Sequence, residues 1–168
     1  MISQPDDDDP VADVTSPACS MHDADDAYMG YVGKDELIAF LNELLEAESA
    51  GARVTLMSAR DAGAGPIAEL MLTIHRDETH WCAMLIRQIK MRGETPSTKI
   101  GAFYEKVMAI ADLGERISFL NRGQGWVVRK LRDMLPRVRD EALRSDLTEM
   151  LRSHETNIAL ANGVGEAG

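Results

Sequence analysis

Apolar residues recur every three or four positions through four long stretches of this chain, and each stripe carries one polar interruption: Glu48, Glu78, Gln124 and His154. That spacing marks one face of an α-helix packed against other helices. A buried Glu is costly unless it is paired, protonated or bound to a metal. One such group on each of four helices predicts a shared polar centre inside an all-α bundle.

The first helix is expected from about Lys34 to Arg60, with Leu37, Leu41, Leu44, Glu48, Ala52 and Thr55 on one face. Gly63 and Gly65 break the pattern, and Pro66 is suited to start the next helix. The second stripe runs through Leu70, Met71, Ile74, Glu78, Trp81, Cys82, Leu85 and Ile89, ending near Met91. A connector follows, with a short helix expected at about Thr98 to Ala111. The third long helix, about Asp112 to Leu135, carries Ile117, Leu120, Gln124, Val127, Val128 and Leu131. The fourth, about Val138 to Ala161, carries Leu143, Leu147, Met150, Leu151, His154 and Ile158. Two tightly joined pairs separated by a long connector differ from a simple up-down bundle, which uses three short loops.

Residues 1–33 read as a disordered acidic arm, with an unbroken run from Asp6 to Asp9, and 163–168 as a flexible tail. Only 5% of residues are aromatic, a balance that suits helix packing. The net charge of −10 argues against nucleic acid and anionic membranes as partners. No apolar run approaches the ~20 residues that span a bilayer. Met1 to Pro10 has neither the basic start nor the apolar stretch of a signal peptide. Cys19 and Cys82 lie in unlike contexts, so no disulfide is expected and a cytoplasmic location fits.

Glu48 stands 15 residues before Gly63 and Glu78 stands 15 after it. With a rise of ~1.5 Å per residue, antiparallel helices bring the two carboxylates to one level. Close carboxylates repel, so one takes a proton or a cation sits between them. The bland alternatives are that they tilt to solvent or pair with a base such as Arg53. His154 is a third candidate ligand, although a lone His on an apolar stripe is often a hydrogen-bonded core residue. Gln124 can hydrogen-bond in the centre but is a weak ligand. Asn121 matches the predicted level of His154 better. Asp77 and His80, three apart, could share a metal, on a more polar face of the same helix. A faint echo between Arg76-Asp-Glu-Thr-His80 and Arg152-Ser-His-Glu-Thr156 raises Glu155 as another inward group.

Leu44-Leu-Glu-Ala-Glu48-Ser-Ala-Gly-Ala-Arg53, Arg76-Asp-Glu78 with Trp81-Cys-Ala-Met-Leu85, and Trp126-Val-Val-Arg-Lys-Leu131 resemble the ferritin-like superfamily of the rubrerythrin and bacterioferritin type, in an uncharacterised bacterial branch. The likeness covers about Lys34 to Asn162. It implies an antiparallel four-helix bundle with a short extra helix in the connector, and a homodimer by analogy. Active members hold two irons with one Glu on each of two helices and Glu-x-x-His on each of the other two. Glu48 resembles the first-helix Glu, Glu78 the second, and His154 the fourth-helix His. Trp81 stands where a His is needed, Leu151 where a Glu is needed, and Gln124 where the third-helix Glu is needed. The motif is therefore degenerate. The resemblance implies a non-catalytic or weakly metal-binding, stress-related scaffold, with iron or manganese and no metal both open. The alternatives are a di-iron or di-manganese oxidase or peroxidase using Glu48, Glu78 and His154, and a regulatory partner-binding module.

Overall fold

The computed structural model describes residues 26–165, all helix and connecting turns, with no strand among the described residues. Four long helices carry the chain: α1 (Lys34–Ala62), α2 (Pro66–Met91), α4 (Leu113–Met134) and α5 (Glu141–Gly165), with the short α3 (Phe103–Met108) in the connector. A 3-10 turn, Leu135–Arg137, joins α4 to α5.

The ends follow local chemistry. Gly63 closes α1 at φ 72°, a conformation that favours glycine, and Pro66 opens α2 where its missing N–H costs nothing. The Asp112 carboxylate accepts the Glu115 N–H at 2.8 Å and caps α4. Asp140 caps α5 in the same way, accepting from Ala142 N and Leu143 N.

Side-chain pairs fix the helix directions. Between α1 and α2 the pairs are His75 with Ala52 O and Ser49 with Cys82. Between α1 and the α4 segment they are Arg116–Asp61, Lys130–Glu43 and Arg137–Glu36. Between α2 and α5 they are Trp81–Ser153, Gln88–Asp146 and Arg92–Asp140. In every set one number rises as the other falls, so each pair is antiparallel. The neighbours form a ring α1–α2–α5–α4, and α3 lies against α1 and α4. Because α2 and α4 point the same way, the chain between them must travel the length of the bundle. Contacts of Glu94 with Lys34, of Ser97 with Asn42 and Glu46, and of Ile110 O with Arg116 trace that path.

Two apolar clusters fill the interior. One contains Leu41, Leu44, Leu85, Leu131, Leu147 and Met150; the other contains Val54, Met71, Ile74, Val107, Leu120 and Ala161. Glu48, Glu78, Gln124 and His154 occupy the level between them.

Some bounds differ from the sequence expectation. The short helix covers only Phe103–Met108, since the residues around Gly101 and after Ala109 leave the helix. Residues 163–165 continue α5 rather than forming a tail. Within the expected disordered arm, Val32 is buried and its N–H donates to Arg137 O at 2.9 Å, while Asp26 pairs with Arg139. The acidic run at 6–9 and Cys19 lie outside the described residues, as does 166–168.

Candidate functional site

The polar centre is built from one side chain per long helix, each at the same level because the helices are antiparallel and tightly joined. Side-chain burial is nearly complete: Glu48 is 2% exposed, Glu78 4%, Gln124 3% and His154 1%. Neither carboxylate turns to water, and Arg53, on the exposed side of α1, does not pair them.

Two hydrogen bonds cross the bundle diagonals. His154 Nε2 lies 3.0 Å from Glu48 Oε1, joining α5 to α1, and Gln124 Nε2 donates to Glu78 Oε1 at 2.8 Å, joining α4 to α2. The other His154 nitrogen, Nδ1, lies 2.9 Å from Met150 O. That carbonyl can only accept, so Nδ1 carries hydrogen and Nε2 is the nitrogen that faces the centre. Thr55 Oγ1 sits 3.2 Å from Glu78 Oε2 and 2.8 Å from Gly51 O.

Burial, and then the charge of Glu48, push the Glu78 carboxyl well above its usual range, with Asp77 adding to the effect and the Thr55 contact opposing it. Burial thus favours the protonated form of Glu78, against the Thr55 hydroxyl, which donates to Oε2. For His154, burial works against the charged form, but the Glu48 charge and hydrogen bond outweigh it, and the Met150 carbonyl and Asp77 help. Its pKa rises above the ordinary 6.5. The centre is thus a His154–Glu48 pair beside a Glu78–Gln124 pair in which burial favours protonation of Glu78.

Gly51 makes the close packing feasible. A Cβ there would lie 2.5 Å from Glu78 Oε1, so α1 offers bare backbone to the carboxyl. Gly123 plays the same part for the α3 connector, since its Cβ would fall 2.6 Å from Phe103 Cζ.

Beside the centre lies a cavity of about 470 Å³. Glu48, Glu78, Gln124 and His154 line it, with Ala47, Phe103, Phe119, Leu120, Trp126 and Val127 forming apolar walls and Glu43, Glu46 and Arg122 also on its lining. Two buried acceptors at this centre, Glu48 Oε2 and Gln124 Oε1, have no hydrogen-bond partner.

The second-rank candidates stand elsewhere. His80 is exposed and stacks edge-on against its neighbour Trp81, while Asp77 receives the Ser153 hydroxyl at 3.3 Å. Glu155 is exposed and pairs with Arg132. Asn121 reaches Asn162 at 2.9 Å, about two helical turns beyond His154. Trp81 is buried and donates Nε1–H to Ser153 Oγ at 3.2 Å. The Cys82 thiol, pushed up to about 11 by burial, is an unreactive neighbour of Ser49. Sequence reasoning missed Thr55 as a partner of Glu78 and missed Gly51. The signal for the second was a glycine in the middle of a long helix, opposite a buried Glu.

A family model described as a domain of unknown function (DUF6306) matches residues 35–163. The chain belongs to the DUF6306 family. The match spans all four long helices to near the end of α5, so the polar centre and its cavity lie inside the DUF6306 domain. No curated protein and no solved structure matches the chain.

Among the described residues, no three His, Cys, Asp or Glu side chains form a ready metal-ligand cluster. The donors satisfy one another instead. Trp81 and Leu151, three residues from Glu78 and His154 on the same helices, supply no further ligand atom. A single cation does fit the chemistry: Glu48 Oε2 and Gln124 Oε1 are free lone pairs, and the Nδ1–Met150 contact orients His154 Nε2 inward.

Proposed function

We propose that this chain is a ferritin-like binding scaffold whose buried centre takes at most one divalent cation, iron or manganese, and takes it weakly. The observation that carries this reading is the pair of unpartnered acceptors, Glu48 Oε2 and Gln124 Oε1, in a fully buried four-helix polar layer. Glu48, Glu78 and His154 would hold the ion, with Gln124 completing the set. A bound cation would supply Lewis acidity or a redox centre. Reaching that state requires Glu78 to lose its proton and His154 to release Glu48, so affinity is low and rises with pH. The antiparallel ring with a connector running the length of the bundle supports the ferritin-like assignment. An oxidase or peroxidase of the two-metal type is disfavoured by Trp81 and Leu151.

Equilibrium dialysis of chelator-stripped protein against Fe(II) and Mn(II), with oxygen consumption followed in parallel, tests the proposal. The expected result is no more than one ion per chain, lost in Glu48→Gln, with no oxygen uptake above that of free iron. Two tightly held ions, or catalytic oxygen consumption, would overturn it.

A further inference from the structure

A single metal ion leaves most of the cavity unexplained. Its volume of about 470 Å³ falls within the roughly 300–1,000 Å³ of small-molecule sites. Its walls are apolar and aromatic, while its inner end is the polar centre. That inner end is short of donors. Glu48 Oε2 and Gln124 Oε1 are both buried acceptors with nothing to accept from, and leaving such atoms unpaired is costly. Both residues line the cavity. A ligand that satisfies them must bring N–H or O–H groups to the inner end and an apolar body for the walls. An anionic head is excluded by the Glu48 carboxylate.

We propose that the cavity beside the polar centre binds a small amphipathic amine, whose primary ammonium donates to Glu48 Oε2 and Gln124 Oε1 while an aryl or alkyl body packs between Ala47, Phe103, Phe119 and Trp126. The proposal does not rest on the metal reading. It uses the same acceptors, so amine and metal exclude each other, and it holds for metal-free protein. The charged and titratable groups around the head are Glu48 on α1, Glu78 and Asp77 on α2 and His154 on α5, with neutral Gln124 on α4 and Glu43, Glu46 and Arg122 on the lining.

Calorimetric titration of the full chain, stripped of metal, with 2-phenylethylamine and with 3-phenylpropionate tests the site, since the two share a body and differ in head charge. The amine should bind one to one, at least roughly tenfold tighter than the carboxylate. Ala47→Phe places a ring on the cavity wall and should abolish binding, and Glu48→Gln should weaken it at least about tenfold. Circular dichroism checks that both variants fold, and if Glu48→Gln does not, the matched ligands and Ala47→Phe still decide. Absence of amine binding at millimolar concentration, equal binding of the two ligands, or amine binding unchanged in Ala47→Phe would overturn the proposal and leave water as the partner of the two acceptors. Amine binding without metal binding would sink only the metal reading, and the reverse would sink only this one.

Discussion

At the scale of single residues, the behaviour of the centre turns on Glu78. Its folded pKa is raised, so its contribution to stability is fully present below the ordinary value of 4.5 and is lost as pH rises toward the folded value. His154 has the same sign: its pKa is raised, and its contribution is present below 6.5 and lost as pH climbs through the folded value. Wild-type melting temperature should therefore fall between mildly acidic and alkaline buffer. Glu78→Gln, neutral and nearly isosteric, should melt higher than wild type at pH 8 and show a shallower decline. A parallel pH profile in the variant would mean that Glu78 is not the neutral member. Gly51→Ala should destabilise by ~1–3 kcal/mol, the cost of overpacking a fitted interior, because its methyl would strike the Glu78 carboxyl. Denaturant melts of the variant alone and combined with Glu78→Ala check the cause, since the double variant should recover much of the loss if the clash is the reason. Glu48, Glu78 and His154 were legible as inward groups because a 3.6-residue period places side chains on faces without any knowledge of contacts. Which of them would pair was not legible. Gln124 reaches diagonally to Glu78 and Asn121 passes His154 to meet Asn162, partner choices that helix counting about an assumed turn centre does not resolve.

Among the elements, α2 connects the centre to the larger apolar cluster through Trp81, which is buried against it and tied to α5 by the bond to Ser153. Trp81→Ala should destabilise by about 3 kcal/mol or more, as large-to-small core changes do, measured by urea denaturation. An unchanged midpoint would show that the indole carries little of the α2–α5 packing. The long helices were readable because stripe, cap and breaker agree at most ends: Gly63 and Pro66 fall where the periodicity stops, and Asp112 caps where the next pattern begins. The connector was read less well. Its apolar residues suggested a helix from about Thr98 to Ala111, yet only Phe103–Met108 is helical. Ser97 bonds to Asn42 and Glu46 instead of starting a helix, and Phe103 seats on Gly123. These are tertiary contacts, absent from any local pattern. Val32 was hidden for a similar reason: no helical stripe sets it apart from the exposed Tyr28 and Met29 before it, yet it finds a site beside Arg137.

For the whole molecule, the directions of four helices and one lengthwise connector place a polar layer between two apolar clusters and a cavity against that layer. The layer could be anticipated from sequence, whereas the cavity could not, because it arises from small residues and one short helix meeting across α1 and α4. No helix among the described residues is long and apolar enough to cross a membrane. The proposed function joins these features: a buried layer in which Glu48, Glu78 and His154 would hold one cation and not two. Electron paramagnetic resonance of the Mn(II)-loaded chain tests it most directly. An isolated six-line manganese signal, with a nitrogen coupling that disappears in His154→Gln, is the predicted result. An exchange-coupled multiline spectrum of two manganese ions, or a signal that keeps its nitrogen coupling in His154→Gln, would contradict it.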